Sequence, residues 1–158
     1  MQEAVELVRG LSNVQAVSLL KRLNQDLYGA VPYADVERAA GRDARTGLAL
    51  DAQARKQSLD PQTSVKMARL LLTTLARDPD IAPVVVQAWE AIHSDHRLFV
   101  ETVLAVGLVL NLTLFMSTTE MEFNVGKLKV KKKAADATLL RELMVPVTEL
   151  VKKFVPGS

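Results

Sequence analysis

The chain has 158 residues, 49% hydrophobic and 24% charged, which is too apolar for a disordered segment and long enough for a single domain with its own core. Only 4% of residues are aromatic, so that core must be built from Leu, Val and Ala, and the lack of cysteine excludes disulfides and thiolate chemistry. The net charge of +2 is local: residues 1–93 carry 11 basic and 11 acidic side chains, residues 94–158 carry 9 and 7, and five lysines lie between Lys127 and Lys133, short of a nucleic-acid footprint spread over the whole domain.

In chain order, MQEAVELVRG has neither the basic start nor the apolar run of a signal peptide, and with no cysteine the expected location is the cytoplasm. Glu3 to Val8 reads as a short helical turn. Ser12 is the expected N-cap of a second helix reaching about Leu27, with Val17, Leu20, Leu23 or Asn24, and Leu27 near one face. Tyr28 to Pro32 ends it. The Ala- and Arg-rich stretch from Tyr33 to Leu59, broken at Gly41 and Gly47, reads as two short helices. Asp60-Pro61 starts a helix carrying Val65, Ala68, Leu71, Leu72 and Leu75, and Asp78-Pro79 stops it. Asp80 is the expected cap of the next helix, with Ile81, Val85, Ala88, Trp89 and Ile92 on one face, followed by a connection from His93 to His96.

Leu98 to Met116 is aliphatic over 19 residues and is the segment around which the rest is organised. It reads as a central helix buried on all sides by the helices at 12–27, 63–77 and 81–93. A membrane span is the alternative, although Glu101 sits near one end and Asn111 and Thr113 lie inside.

Next comes EMEFNVGKLKVKKK, whose period of two predicts a half-buried β-hairpin. With Val125-Gly126 as the central turn residues, Phe123 faces Leu128, Met121 faces Val130, Glu122 faces Lys129 and Glu120 faces Lys131. Gly126 would supply the positive φ of a type II turn, and a three-residue loop from Asn124 stays open. Asp136 then caps a last helix whose Leu140, Leu143, Val147, Leu150 and Phe154 form a heptad-like seam, with a kink expected at Pro146. That seam is expected to cover the apolar face of the hairpin.

Three constellations point to chemistry and are set aside. Glu90, His93, Asp95 and His96 resemble metal ligands, but a dinuclear bundle needs a second Glu-x-x-His, so no metal or cofactor is expected. YADVERAAGRDARTGLAL resembles a helix-turn-helix, but Arg42 follows the turn glycine where a buried apolar residue is needed. The lysine run alternates with Leu128 and Val130 as the solvated face of a strand does. With two His and no Cys, general bases and nucleophiles are scarce, and no enzyme is expected.

The aliphatic helix, the charged hairpin and the helix start Lys-Lys-Ala-Ala-Asp-Ala-Thr-Leu-Leu together resemble, over about residues 65–155, small bacterial accessory proteins that accompany effector and NTPase components of conflict (antiviral) systems. That resemblance implies a non-catalytic adaptor and transfers no functional residues.

The resulting expectation is a mainly α fold: one domain over 1–158 (a helical part at 1–95, a helix-hairpin-helix part at 96–155) around a central aliphatic helix, with one small C-terminal β-hairpin followed by a final helix. Its function is expected to be protein–protein interaction with a protein partner, most simply as a homo-oligomer. The alternatives are a membrane-inserting effector using 98–116 and a weak nucleic-acid-binding domain. Interaction candidates are Glu120, Met121, Glu122 and Phe123 on the first strand, Lys127, Leu128, Lys129, Val130 and Lys131 beyond the turn, and Leu150 and Phe154 on the last helix.

Overall fold

The computed structural model describes residues 2–93 and 103–155. The fold is mainly helical, with one two-stranded antiparallel hairpin followed by a final helix. α1 (Gln2–Arg9) leads to α2 (Asn13–Ala30), which Ser12 caps as expected. The Ser12 hydroxyl accepts the Gln15 N–H while the Gln15 side chain accepts the Ser12 N–H, a reciprocal capping box. Ser12→Ala is expected to cost about 1 kcal/mol, read as a lower urea midpoint with an unchanged slope. α2 runs three residues past Leu27, straight through Gly29.

The next stretch holds three short helices rather than two: α3 (Tyr33–Ala39), α4 (Arg42–Gly47) and α5 (Ala52–Arg55). The additional one, α5, is a single turn started by Asp51, whose carboxylate accepts the Ala54 N–H. α6 (Pro61–Arg77) begins where Asp60-Pro61 predicts, the Asp60 carboxylate accepting from Thr63 N at 2.7 Å. It packs against α1, α2, α7 (Ala82–Ile92), α8 (Val106–Met116) and α9 (Ala137–Lys152).

Asp80 does not cap α7. Ile81 occupies that position, and Asp78 instead closes the loop by accepting the Asp80 N–H, which frees the Asp80 carboxylate for a partner far along the chain.

In the described part of the aliphatic segment the helix begins at Val106. Residues 98–102 lie outside the described residues, and 103–105 are extended, not helical. The cause is pairing with the loop before α6: Leu59 N donates to Leu104 O at 2.8 Å and Val106 N to Gln57 O at 2.8 Å. Buried Ser64 holds the arrangement, its hydroxyl accepting the Leu104 N–H and donating to Leu59 O. α8 itself is buried on nearly every side, as its composition requires, with Leu108 and Asn111 half-exposed. Its neighbours are α2, α3, α5, α6 and α9; α7 is not among the helices packed closely on it.

α9 starts at Asp136, whose carboxylate accepts from Thr138 N and Leu139 N, and runs unbroken through Pro146. The carbonyl that Pro146 leaves without a donor belongs to exposed Glu142, where water can serve it. The buried stripe is Leu139, Leu143, Val147, Leu150 and Val151, so Leu140 and Phe154 sit at its margin rather than at its centre. α9 packs mainly on α6 and α8, and the hairpin is covered by other elements.

Candidate functional site

β1 (Met121–Val125) pairs with β2 (Leu128–Lys132) in a register displaced from the expected one: Val125 faces Leu128, Phe123 faces Val130, Glu122 faces Lys131 and Met121 faces Lys132. The turn residues are Gly126-Lys127. Gly126 has φ +57, and among the described residues no non-glycine residue has positive φ, which fits a type II′ turn with glycine first. That turn follows the right-handed twist of the two strands, whereas a type II turn at Val125-Gly126 would splay them. The displacement moves each residue by two along its partner, so the faces survive. Met121, Phe123, Leu128 and Val130 still point inward, Val125 joins them from its expected place in the turn, and Glu122 still meets a lysine, now Lys131, at 3.7 Å.

The hairpin is clamped along its whole length. At the turn, Gln87 of α7 reads the backbone with both ends of its amide, Nε2 donating to Val125 O at 3.0 Å and Oε1 accepting from Lys127 N at 3.1 Å. In the middle, Phe123 meets Phe115 of α8 edge to face at 5.6 Å, and β1 packs on α2. At the open end, Thr119 N donates to Ala39 O and Lys133 N donates to Asp80 Oδ2, both at 3.0 Å.

The open end also holds a residue that sequence reasoning missed. Lys132 is fully buried on the inner face. Its ammonium donates to Thr118 O at 3.1 Å, Lys133 O at 3.2 Å and Met116 O at 3.5 Å, one acceptor for each N–H. Burial pushes its pKa below that of a free lysine, opposed by the charges of Asp78 and Asp80. Burial likewise raises the pKa of Asp78, opposed by the Asp80 N–H and then by Lys132. Period two from Leu128 and Val130 already places residue 132 inside, and that was the available signal. A lysine in a run of lysines is normally taken as solvated, which masked it.

The expected contact residues therefore divide. Glu120, Glu122, Lys127, Lys129 and Lys131 are exposed, while Met121, Leu128 and Phe154 are half-buried. Phe123, Val130 and Leu150, at 8%, 4% and 5% exposure, belong to the protein's own core and are not available to a partner. In a two-residue hairpin Val125 and Leu128 exchange backbone hydrogen bonds, as do Phe123/Val130 and Met121/Lys132 in alternation. The N–H and C=O of Glu122 and Asn124 then face the outer edge of β1, and those of Lys129 and Lys131 the outer edge of β2. Among the described residues no further strand pairs with either edge.

The other constellations do not assemble. α4 is six residues long, too short for a recognition helix, and its buried contact is Ala44. The His93 ring stacks on Trp89, Glu90 is exposed, and Asp95 and His96 lie outside the described residues. Among the described residues no three metal-ligating side chains come together, and no helix is long and apolar enough to cross a membrane. No protein-family model matches this chain, and no curated protein or solved structure matches it.

Proposed function

We propose that this chain is a non-catalytic protein-interaction module whose contact surface is the hairpin edge. The observation that carries the reading is a clamped two-stranded sheet whose outer edges, oppositely charged, pair with no further strand among the described residues. Unpaired edges are templates for another strand. The first strand carries Glu122, with Glu120 just before it, and the second Lys129 and Lys131, with Lys127 in the turn, so β1 against β1 would set like charges together. β1 of one copy against β2 of the next matches acid with base. A copy displaced by simple translation already presents its β2 antiparallel to that β1. Such a contact is heterologous and builds rings or open chains rather than closed dimers. The resemblance of residues 65–155 to accessory proteins of bacterial conflict systems supports an adaptor that accompanies an effector.

Light scattering over a concentration series is expected to show a growing oligomer. Asn124→Pro, which removes an outward N–H of β1, and the double variant Lys129→Glu/Lys131→Glu, which reverses the charge of β2, should each be monomeric. Mixed together, they should give a one-to-one heterodimer and nothing larger, because each retains one competent edge. A wild-type monomer at every concentration would rule out self-assembly and leave the edge for a different protein.

A further inference from the structure

A cleft of about 550 Å³ opens where α3, α4, α5 and the half-exposed side of α8 meet. Its floor is apolar, formed by Leu110 and Leu114 of α8 among others, and its walls carry Arg55, Arg45, Tyr33 and Glu37.

The placing of Arg55 is built into the fold. α5 lies directly on α8 because residue 107 is glycine: a Cβ there would come 3.0 Å from the Arg55 carbonyl oxygen and 3.2 Å from its Cβ. Arg55 then donates through Nη2 to the side-chain oxygen of Asn111, a polar residue on an otherwise almost wholly apolar helix. Asn111 is fixed in turn, its backbone carbonyl accepting the Tyr28 hydroxyl. The guanidinium also lies 5.9 Å from the centre of the Tyr33 ring, which stacks on Tyr28 with centroids 6.2 Å apart and planes 27° apart.

Among the described residues no carboxylate forms an ion pair with Arg55. Its contacts are a neutral amide and an aromatic face, and the ion pairs among the described residues involve Arg22, Arg38, Arg77 and Lys131 instead. Arg45 in the same cleft takes part in none of them. A half-buried guanidinium with donors to spare is suited to a bidentate oxyanion. The Tyr33 ring, 42% exposed at the mouth, offers a flat apolar surface beside it. Glu37 on the rim repels a polyanion, and the volume lies in the range of small-molecule sites.

We infer that this cleft binds a small aromatic oxyanion, a flat ring bearing one carboxylate or phosphate group, with Arg55 and Arg45 on the anion and Tyr33 against the ring. The test is calorimetric titration of the full chain with AMP and, separately, with indole-3-acetate, using adenosine and inorganic phosphate as controls lacking one half of the ligand. At least one probe is expected to bind saturably, about tenfold or more tightly than either control, and to shift the NMR resonances of the Tyr33 ring. AMP alone would identify the anion as phosphate, and indole-3-acetate alone as carboxylate. Arg45→Ala and Tyr33→Leu, both at exposed positions, should each weaken binding by about fivefold or more with an unchanged melting temperature, and Arg55→Gln should abolish it. Absence of saturable binding by both probes, or binding that survives both Arg45→Ala and Tyr33→Leu unchanged, would overturn the inference.

Discussion

Replacing Lys132 with alanine will destabilise the protein by about 3 kcal/mol or more, enough to remove a large share of the stability of a domain this size. The substitution strips the donor from three carbonyls, those of Met116, Thr118 and Lys133, the first two of them on buried residues. It also leaves buried Asp78 without the cation that offsets part of its desolvation. Lys132→Met keeps the aliphatic stem and loses only the ammonium, so the difference between the two variants measures the packing of the stem. Urea titration of both, with the hairpin amides followed by hydrogen exchange, checks the expectation. Wild-type stability in Lys132→Met would mean that the three carbonyls find other donors at no cost.

The same lysine predicts a pH signature. Its folded pKa lies below the ordinary 10.5, so between those two values the unfolded chain holds a proton that the folded chain has released. Stability contributed by this group therefore rises with pH across that window, and Lys132→Met should flatten the rise. Tyr28 acts in the opposite sense at higher pH. Burial, with Tyr33 adding to it and Arg55 opposing it, raises its pKa far above 10.0. The folded chain then keeps a proton that the unfolded one has lost, and stability falls with pH above about 10.

Gly126→Val will cost about 3 kcal/mol, from two separable causes. Valine at φ +57 is strained, because a β-branched side chain clashes with its own backbone in that region. Its Cβ would also stand 2.5 Å from Gln87 Nε2, so the amide must swing away and both of its bonds to the turn are lost. Gly126→Asn is less strained than valine because it is not β-branched, and it retains the collision, whereas Gly126→Val in a Gln87→Ala background retains the strain and relieves the collision. A double-mutant cycle on these variants apportions the loss. An unchanged unfolding midpoint in Gly126→Val would exclude Gly126-Lys127 as the turn.

Each part of the candidate surface is legible in the sequence to the extent that a short-range rule governs it. Strand alternation assigns Glu122, Lys129 and Lys131 to solvent and Phe123 and Val130 to the core whichever of the two registers applies, because both keep the same parity. The choice between them lies in the turn, where a single glycine can serve a type II or a type II′ geometry. The twist of the strands favours the primed turn, and Gln87, some 40 positions upstream, holds it by bonding the Val125 carbonyl and the Lys127 N–H. The Arg55–Asn111 contact is equally silent in sequence, being 56 positions apart and dependent on a glycine that lets two helices close.

By itself the sequence determined what short-range chemistry controls: the caps at Ser12, Asp60 and Asp136, the burial of the aliphatic helix, and the two faces of the hairpin. Each depends on a periodicity or on a side chain reaching a backbone N–H two or three residues away. Only the tertiary structure decided the rest. It made residues 103–105 pair with the loop before α6 instead of extending the helix, gave Asp80 to Lys133, and covered the hairpin with α2 and Phe115 in place of α9. It also turned the one inward lysine of a basic run into a buried, fully bonded anchor. The physical reason is common to all four. A backbone donor, a carboxylate or an apolar face specifies the chemistry of its partner but not the partner's position in the chain, and packing selects among the candidates that come within reach.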